Sequence, residues 1–215
     1  MLKSKIVLSL FILFLLAGCN VLGQKDIAEM DPAELPDVIA FQDDFTREFM
    51  SSLEEVEDGY YLFESKTGGY TMMYPQNAKM DQGYFEMQGA NYEAISFGEN
   101  EETNNYVYFL RATYDEGERA NESERLLRLL STHAGYEGDY KSMKYDNKTI
   151  HYATLEDIDG SGQSDEHLLL AVIMSNGSDQ AVSVRYNVIF GKGRSTDLET
   201  AQNESMKIME SIEFK

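Results

Sequence analysis

The spacing of apolar residues changes several times along this chain, and each change predicts an element. Ile6 to Leu16 is apolar but for Ser9, preceded by Lys3 and Lys5 and followed by the small residues Ala17 and Gly18. That length suits the apolar region of an export signal and falls short of the ~20 residues a helix needs to span a bilayer. Asn20 to about Asp31 is polar and aperiodic. Asp31-Pro32 and Leu35-Pro36 read as turn or helix-start signals, because proline suits a first helical turn. From Asp37, the apolar residues Val38, Phe41, Phe45, Phe49 and Leu53 recur at three- and four-residue spacing. This predicts one amphipathic helix to about Glu55, with Gly59 as its stop.

After Gly59 the period becomes two. Tyr60–Glu64 and Tyr70–Tyr74 read as strands around the turn Lys66-Thr67-Gly68-Gly69, and Pro75 ends the second. Tyr84–Met87 and Tyr92–Phe97 follow around Gln88-Gly89-Ala90-Asn91, and Tyr106–Tyr114 is a longer strand. A second helix is predicted from Arg119 to His133, with Leu126, Leu127 and Leu130 facing the core and Gly135 as its stop. Strands then return at Tyr140–Tyr145, Thr149–Leu155, His167–Met174 and Gln180–Phe190. In the last of these, Val182, Val184, Tyr186 and Val188 alternate with Ser183, Arg185 and Asn187. A closing helix begins near Ser195-Thr196 and buries Leu198, Ala201, Ser205, Ile208, Met209 and Ile212.

The strands come in meanders between helices rather than alternating with them one for one. That order predicts an α+β fold, an antiparallel β-sheet flanked by helices. Two stretches carry a resemblance. Gly69-Tyr70-Thr71-Met72-Met73-Tyr74-Pro75 is similar to the early strand of PsbP/Mog1-like domains, and the closing helix ending in Met209-Glu210-Ser211-Ile212-Glu213-Phe214 is similar to theirs. The resemblance implies an α/β/α sandwich and, since members of that family mostly serve as accessory or binding proteins, a non-catalytic role. It maps no site residue onto this chain.

Leu16-Ala17-Gly18-Cys19 holds the only cysteine and resembles the lipobox of bacterial lipoproteins at all four positions. The resemblance implies that the Cys19 thiol receives a diacylglycerol and becomes the mature N-terminus. A single cysteine also leaves no internal disulfide to form. The expected organisation is therefore a signal peptide over 1–18, a lipidated cysteine and flexible tether over 19–35, and one globular domain over 36–215. A multiply acylated N-terminus holds a membrane firmly, at ~0.8 kcal/mol per buried CH₂. The expected location is the extracytoplasmic face of a cell membrane, and the short signal resembles that of a Gram-positive organism.

Charge narrows the partners. The formal charge of -20 becomes -22 once residues 1–18 remove Lys3 and Lys5 and no acid. So acidic a chain repels nucleic acid and anionic lipid. The expected partners are the membrane, through Cys19, and an envelope protein or cell-wall component. Gly-x-Ser-x-Gly, His-Glu-x-x-His and phosphate-loop patterns do not occur, so no enzyme is expected.

One loop carries candidate chemistry. Asp157-Ile158-Asp159-Gly160-Ser161-Gly162-Gln163-Ser164-Asp165-Glu166 resembles calcium loops of the EF-hand and FG-GAP type. The resemblance implies that Asp157, Asp159, Ser161, Gln163 and Asp165 offer oxygens to one Ca²⁺. The twelfth position, however, is Leu168 where an EF-hand has glutamate, and the same composition also makes an ordinary hairpin turn. A Ca²⁺-dependent structural or adhesion module is thus the alternative to a binding module. His151 and His167 lie in strands that could be adjacent. Lys192 and Arg194 form a small basic turn, and of the tyrosines crowding residues 60–114 half of each alternating set should face the core, while the other half could furnish an aromatic platform.

Overall fold

The computed structural model describes residues 26–101, 106–156, 164–191 and 198–215. In chain order its elements are α1 (Ile39–Gln42), α2 (Asp44–Arg47), β1 (Tyr60–Glu64), β2 (Tyr70–Pro75), β3 (Lys79–Met80), β4 (Glu86–Gln88), β5 (Tyr92–Glu101) and β6 (Tyr106–Glu116). They continue with α3 (Ser123–Ala134), β7 (Lys141–Lys144), β8 (Lys148–Glu156), β9 (Ser164–Ser175), β10 (Gln180–Gly191), α4 (Leu198–Glu210) and β11 (Glu213–Phe214). The fold is α+β, and the strand pairings are antiparallel.

Two sheets share the core. The large one runs β3-β5-β6-β10-β9-β8-β7, with β4 also on β5, and the small one runs β1-β2-β11. Alternation along the central strands decides what each face meets. Tyr106, Tyr108, Leu110, Ala112 and Tyr114 of β6 point inward with Val182, Val184, Tyr186, Val188 and Phe190 of β10. There they join Phe63, Tyr70, Met72 and Tyr74 of the small sheet and Ala201, Ile208 and Met209 of α4. The opposite face of the large sheet is covered in part by α3, whose Leu126 packs with Ala120, Val172 and Ala181. Gly135 ends α3 in the left-handed conformation at φ 66°, as expected of a helix stop. The buried face of α4 is also as predicted, at Ala201, Ser205, Ile208 and Met209.

The single helix expected over 37–55 is replaced by two short helices and an extended exit. Asp43 takes an extended conformation between α1 and α2 and caps the second, accepting from the Thr46 amide at 3.0 Å. Beyond α2 the backbone pairs with β1: Ser51 N donates to Leu62 O, and Glu64 N donates to Phe49 O, each at 2.9 Å. Phe41 and Phe49 still reach the core, so the apolar spacing marked burial correctly and the element wrongly. The segment read as tether also differs. Asp26 and Asp31 cap two short 3₁₀ turns, and Ile27 and Leu35 are buried against the core, so packing reaches back to residue 27.

Asp43 also accepts from Thr46 Oγ1 at 2.7 Å and Lys79 Nζ at 2.7 Å, and Thr46 Oγ1 accepts from Met80 N at 2.9 Å. Burial raises the Asp43 carboxyl, but Lys79 and Thr46 outweigh it and hold it below its usual 3.8. The unfolded chain therefore takes up this proton at a higher pH than the folded one. The stability Asp43 contributes is present above pH ~3.8 and is lost as pH falls through the lower folded value. Asp43→Ala is expected to cost ~1 kcal/mol at neutral pH, as a lost helix cap does. The difference from wild type should shrink in acid, which urea titrations across that range will read.

Candidate functional site

Cys19 lies outside the described residues, as do Asp157, Asp159, Ser161, Gln163, Lys192 and Arg194. Asp165 belongs to β9, where its backbone stands opposite Phe190. The strands on either side of the acidic loop pair directly, with Glu156 opposite His167. Among the described residues no three His, Cys, Asp or Glu side chains gather as a metal site. The two strand histidines do not meet. His151 stands opposite Val172, with Nδ1 2.8 Å from Ser142 Oγ, while His167 packs edge-on against Phe190 at 5.5 Å. Most of the tyrosines are core: Tyr61, Tyr70, Tyr74, Tyr106, Tyr108 and Tyr114 are buried, and Tyr84 alone of those singled out is exposed.

What the fold does assemble is a cleft of about 510 Å³ between α3 and the outer face of the large sheet. Its floor is Arg111, Thr113 and Asp115 from β6 with Ser183 and Arg185 from β10. These are the outward alternates of strands whose inward alternates fill the core. Arg125, Leu126, Leu129, Leu130 and His133 of α3 make one wall, and Tyr84 and Tyr92 make the other. Leu129 is exposed, so the wall offers apolar surface as well as charge.

Register puts Arg111 directly opposite Arg185. Like charges in that position repel, at ~0.2–1 kcal/mol. Among the described residues neither has a carboxylate within ion-pair distance. Arg111 stacks its guanidinium 4.9 Å from the Tyr84 ring centre. Arg185 donates through Nε to Asn187 Oδ1 at 2.9 Å and through Nη1 to the His133 carbonyl at 3.4 Å, which leaves Nη2 uncommitted. The Arg125 Nε is buried and 3.5 Å from Glu122 Oε2, within ion-pair reach but without a hydrogen bond. Asp115 is the one acid lining the cleft. Burial pushes its carboxyl up, and Arg125 and Arg119 pull it back.

Three guanidinium groups and one carboxylate thus line the cleft on a chain of net charge -20. Guanidinium forks bind carboxylate and phosphate oxygens in pairs. Sequence reasoning did not find this site. Arg111 and Arg185 are legible as outward positions of their strands, but their juxtaposition needs the β6–β10 register.

Comparison with known proteins gives the following. A family model that carries YvcA and Mog1p in its name, described as "Putative lipoprotein YvcA", matches residues 36–213. A protein of that same description from Bacillus subtilis (strain 168) is 32% identical over 194 residues, which are 86% of this chain and 80% of the relative. Among solved structures, the Saccharomyces cerevisiae Ran-binding protein Mog1p is similar at a TM-score of 0.45 and 11% identity, over 72% of this chain and 94% of that one. A mutant of protein Mog1 gives a TM-score of 0.45 at 10% identity, over 72% and 95%.

Proposed function

The chain belongs to the family described as "Putative lipoprotein YvcA", and from that premise we propose that it is a lipid-anchored, extracytoplasmic, non-catalytic binding module that takes an anionic group in the α3 cleft. The anchor is Cys19 of Leu16-Ala17-Gly18-Cys19, acylated at the outer face of the cell membrane of a Gram-positive organism. Among the described residues no helix is long and apolar enough to cross a membrane. Cys19→Ala is expected to move the protein from the membrane fraction to the soluble fraction or to block its processing. Fractionation with an antibody against the domain reads this, and a fully membrane-bound, normally processed variant would sink the anchor.

The observation that carries the binding role is the Arg111–Arg185 pair. Two cations on directly paired strand positions, in a chain of 38 acids and 18 bases, are an arrangement the fold opposes and an anion relieves. Thr113, Ser183 and the Leu129–Leu130 wall add hydroxyls and apolar surface, which suits a carboxylate or phosphate carried on an organic body. An envelope protein or cell-wall component bearing such a group is the partner this chemistry fits. Titration of the purified lipoprotein in detergent with inorganic phosphate and with citrate tests it by calorimetry. Saturable heat that falls at least tenfold in Arg111→Gln supports the cleft, and the stronger of the two probes tells phosphate from carboxylate. No heat from either, or heat untouched by the substitution, refutes it.

A further inference from the structure

A second cavity, on the opposite face of the large sheet, has the reverse chemistry. It is smaller, about 170 Å³, and lies between the Pro75–Asn77 turn, β6, β10 and α4. Tyr60, Tyr106, Tyr108 and Tyr186 line it together with Glu99 and Glu204. Both carboxylates are oriented by the tyrosines. Tyr106 Oη donates to Glu204 Oε2 at 2.6 Å, and Tyr108 Oη donates to Glu99 Oε2 at 3.1 Å. The Tyr108 and Tyr186 rings stack with centres 5.0 Å apart. The Tyr186 side chain is 1% exposed, and its hydroxyl is buried without a hydrogen-bond partner. Leaving such a group unmatched costs ~1–3 kcal/mol, so a donor that reaches this hydroxyl gains by pairing with it.

We propose that this cavity binds an organic ammonium group, such as a protonated primary amine or the end of a lysine side chain. Glu99 and Glu204 supply the countercharge, the tyrosine rings supply their faces, and the Tyr186 hydroxyl oxygen accepts one N–H. Cations are held over aromatic rings at distances of up to ~6 Å, more strongly where water is excluded. One lining ring already shows this preference: Lys207 Nζ sits 4.9 Å from the Tyr60 ring centre while pairing with Glu57. The cavity is also electronegative at that ring. Burial, then Glu204, Glu99 and Glu57, push the Tyr60 hydroxyl up to about 12. A bare Ca²⁺ fits less well, since it takes ~6–8 oxygen ligands and two carboxylates line the cavity. An ammonium is satisfied by the two carboxylates, the phenol and the rings. The site shares no residue with the α3 cleft, so it stands or falls independently of that reading.

The test is calorimetric titration of the full lipoprotein in detergent with methylammonium, tetramethylammonium and CaCl₂ in turn. Saturable binding of both ammonium ions is expected. Glu204→Gln keeps an acceptor for Tyr106 but removes the charge, and should weaken both at least tenfold. Tyr186→Phe deletes only the hydroxyl, and should weaken methylammonium several-fold while leaving tetramethylammonium, which has no N–H, unchanged. Thermal unfolding of both variants within a few degrees of wild type shows that the fold persists; a collapsed variant is replaced by Glu99→Gln, for which the same loss is expected. No ammonium binding, binding of Ca²⁺ alone, or binding indifferent to both carboxylate substitutions would overturn the proposal. Equal weakening of the two ammonium ions by Tyr186→Phe would overturn the role given to the hydroxyl.

Discussion

Replacing Lys148 with methionine is expected to destabilise the protein by ~3 kcal/mol, a large share of the ~5–15 kcal/mol that holds a typical domain together. Lys148 is the first residue of β8 and is 2% exposed. Its ammonium donates to the carbonyls of Glu210 and Ile212, each at 2.6 Å, and to Glu213 Oε1 at 2.7 Å. The last carbonyls of a helix have no partner within it, and their end of the helix is negative. Lys148 answers both needs at the end of α4 and ties α4 and β11 to the large sheet. Methionine fills a similar volume but leaves the buried Ile212 carbonyl unmatched, at ~1–3 kcal/mol, and takes the partner from the part-buried Glu210 carbonyl. Glu213 is half exposed and turns to water, so it adds little. For a domain of this size the loss corresponds to a fall in Tm of roughly 6–12 °C. Hydrogen exchange should show α4 and the β2–β11 pair losing protection first, since they are the elements released. A loss below ~1 kcal/mol would show that water enters and replaces the ammonium.

Much of this fold is legible in the sequence because its signals are local. β1 and β2 fall where the period-two run predicts them, and α4 buries the residues its spacing selects. The first helix fails for an equally physical reason. Phe41, Phe45 and Phe49 are spaced as a helix face, yet Asp43 caps a new helix in mid-run and Phe49 is drawn into pairing with β1. Burial and helix share a signature there, and the tertiary pairing decides between them. β11 is two residues long, too short to carry a period, and exists because Glu213 and Phe214 meet Thr71 and Tyr70. The three-stranded sheet therefore could not be separated from the large one by reading alone. Lys148 falls between the strands read at Tyr140–Tyr145 and Thr149–Leu155, and only the arrival of α4 buries it.

The sites follow the same division. Cys19 and the Asp157–Asp165 loop could be singled out in the sequence because the motifs they resemble are contiguous. The α3 cleft and the tyrosine–glutamate cavity are made of residues far apart in sequence, joined by strand register. Tyrosine density was visible and half of each alternating set was expected in the core; which tyrosines go there is decided by the alternation that sends Tyr106, Tyr108 and Tyr114 inward.

Arg111 and Arg185 give the second large effect, because the fold and the ligand ask opposite things of them. Without ligand the two side chains repel, so removing either charge relieves the same strain, and removing both relieves it only once. In the cycle of Arg111→Gln, Arg185→Gln and the double variant, the double should be less stable than the two singles add up to, by ~0.5 kcal/mol. The cycle cancels what each arginine does alone, namely the stacking of Arg111 on Tyr84 and the hydrogen bonds of Arg185 to Asn187 and the His133 carbonyl. Raising salt should stabilise wild type more than either single variant, since screening acts on the pair. With saturating phosphate or citrate the sign should reverse. An anion bridging both guanidinium groups is lost on removing either, so the double then costs less than the sum, and binding weakens by a factor of ten or more, about 1.4 kcal/mol. A favourable coupling in the absence of ligand would mean that the arginines are already bridged within the protein. The cleft would then be a structural feature rather than a binding site.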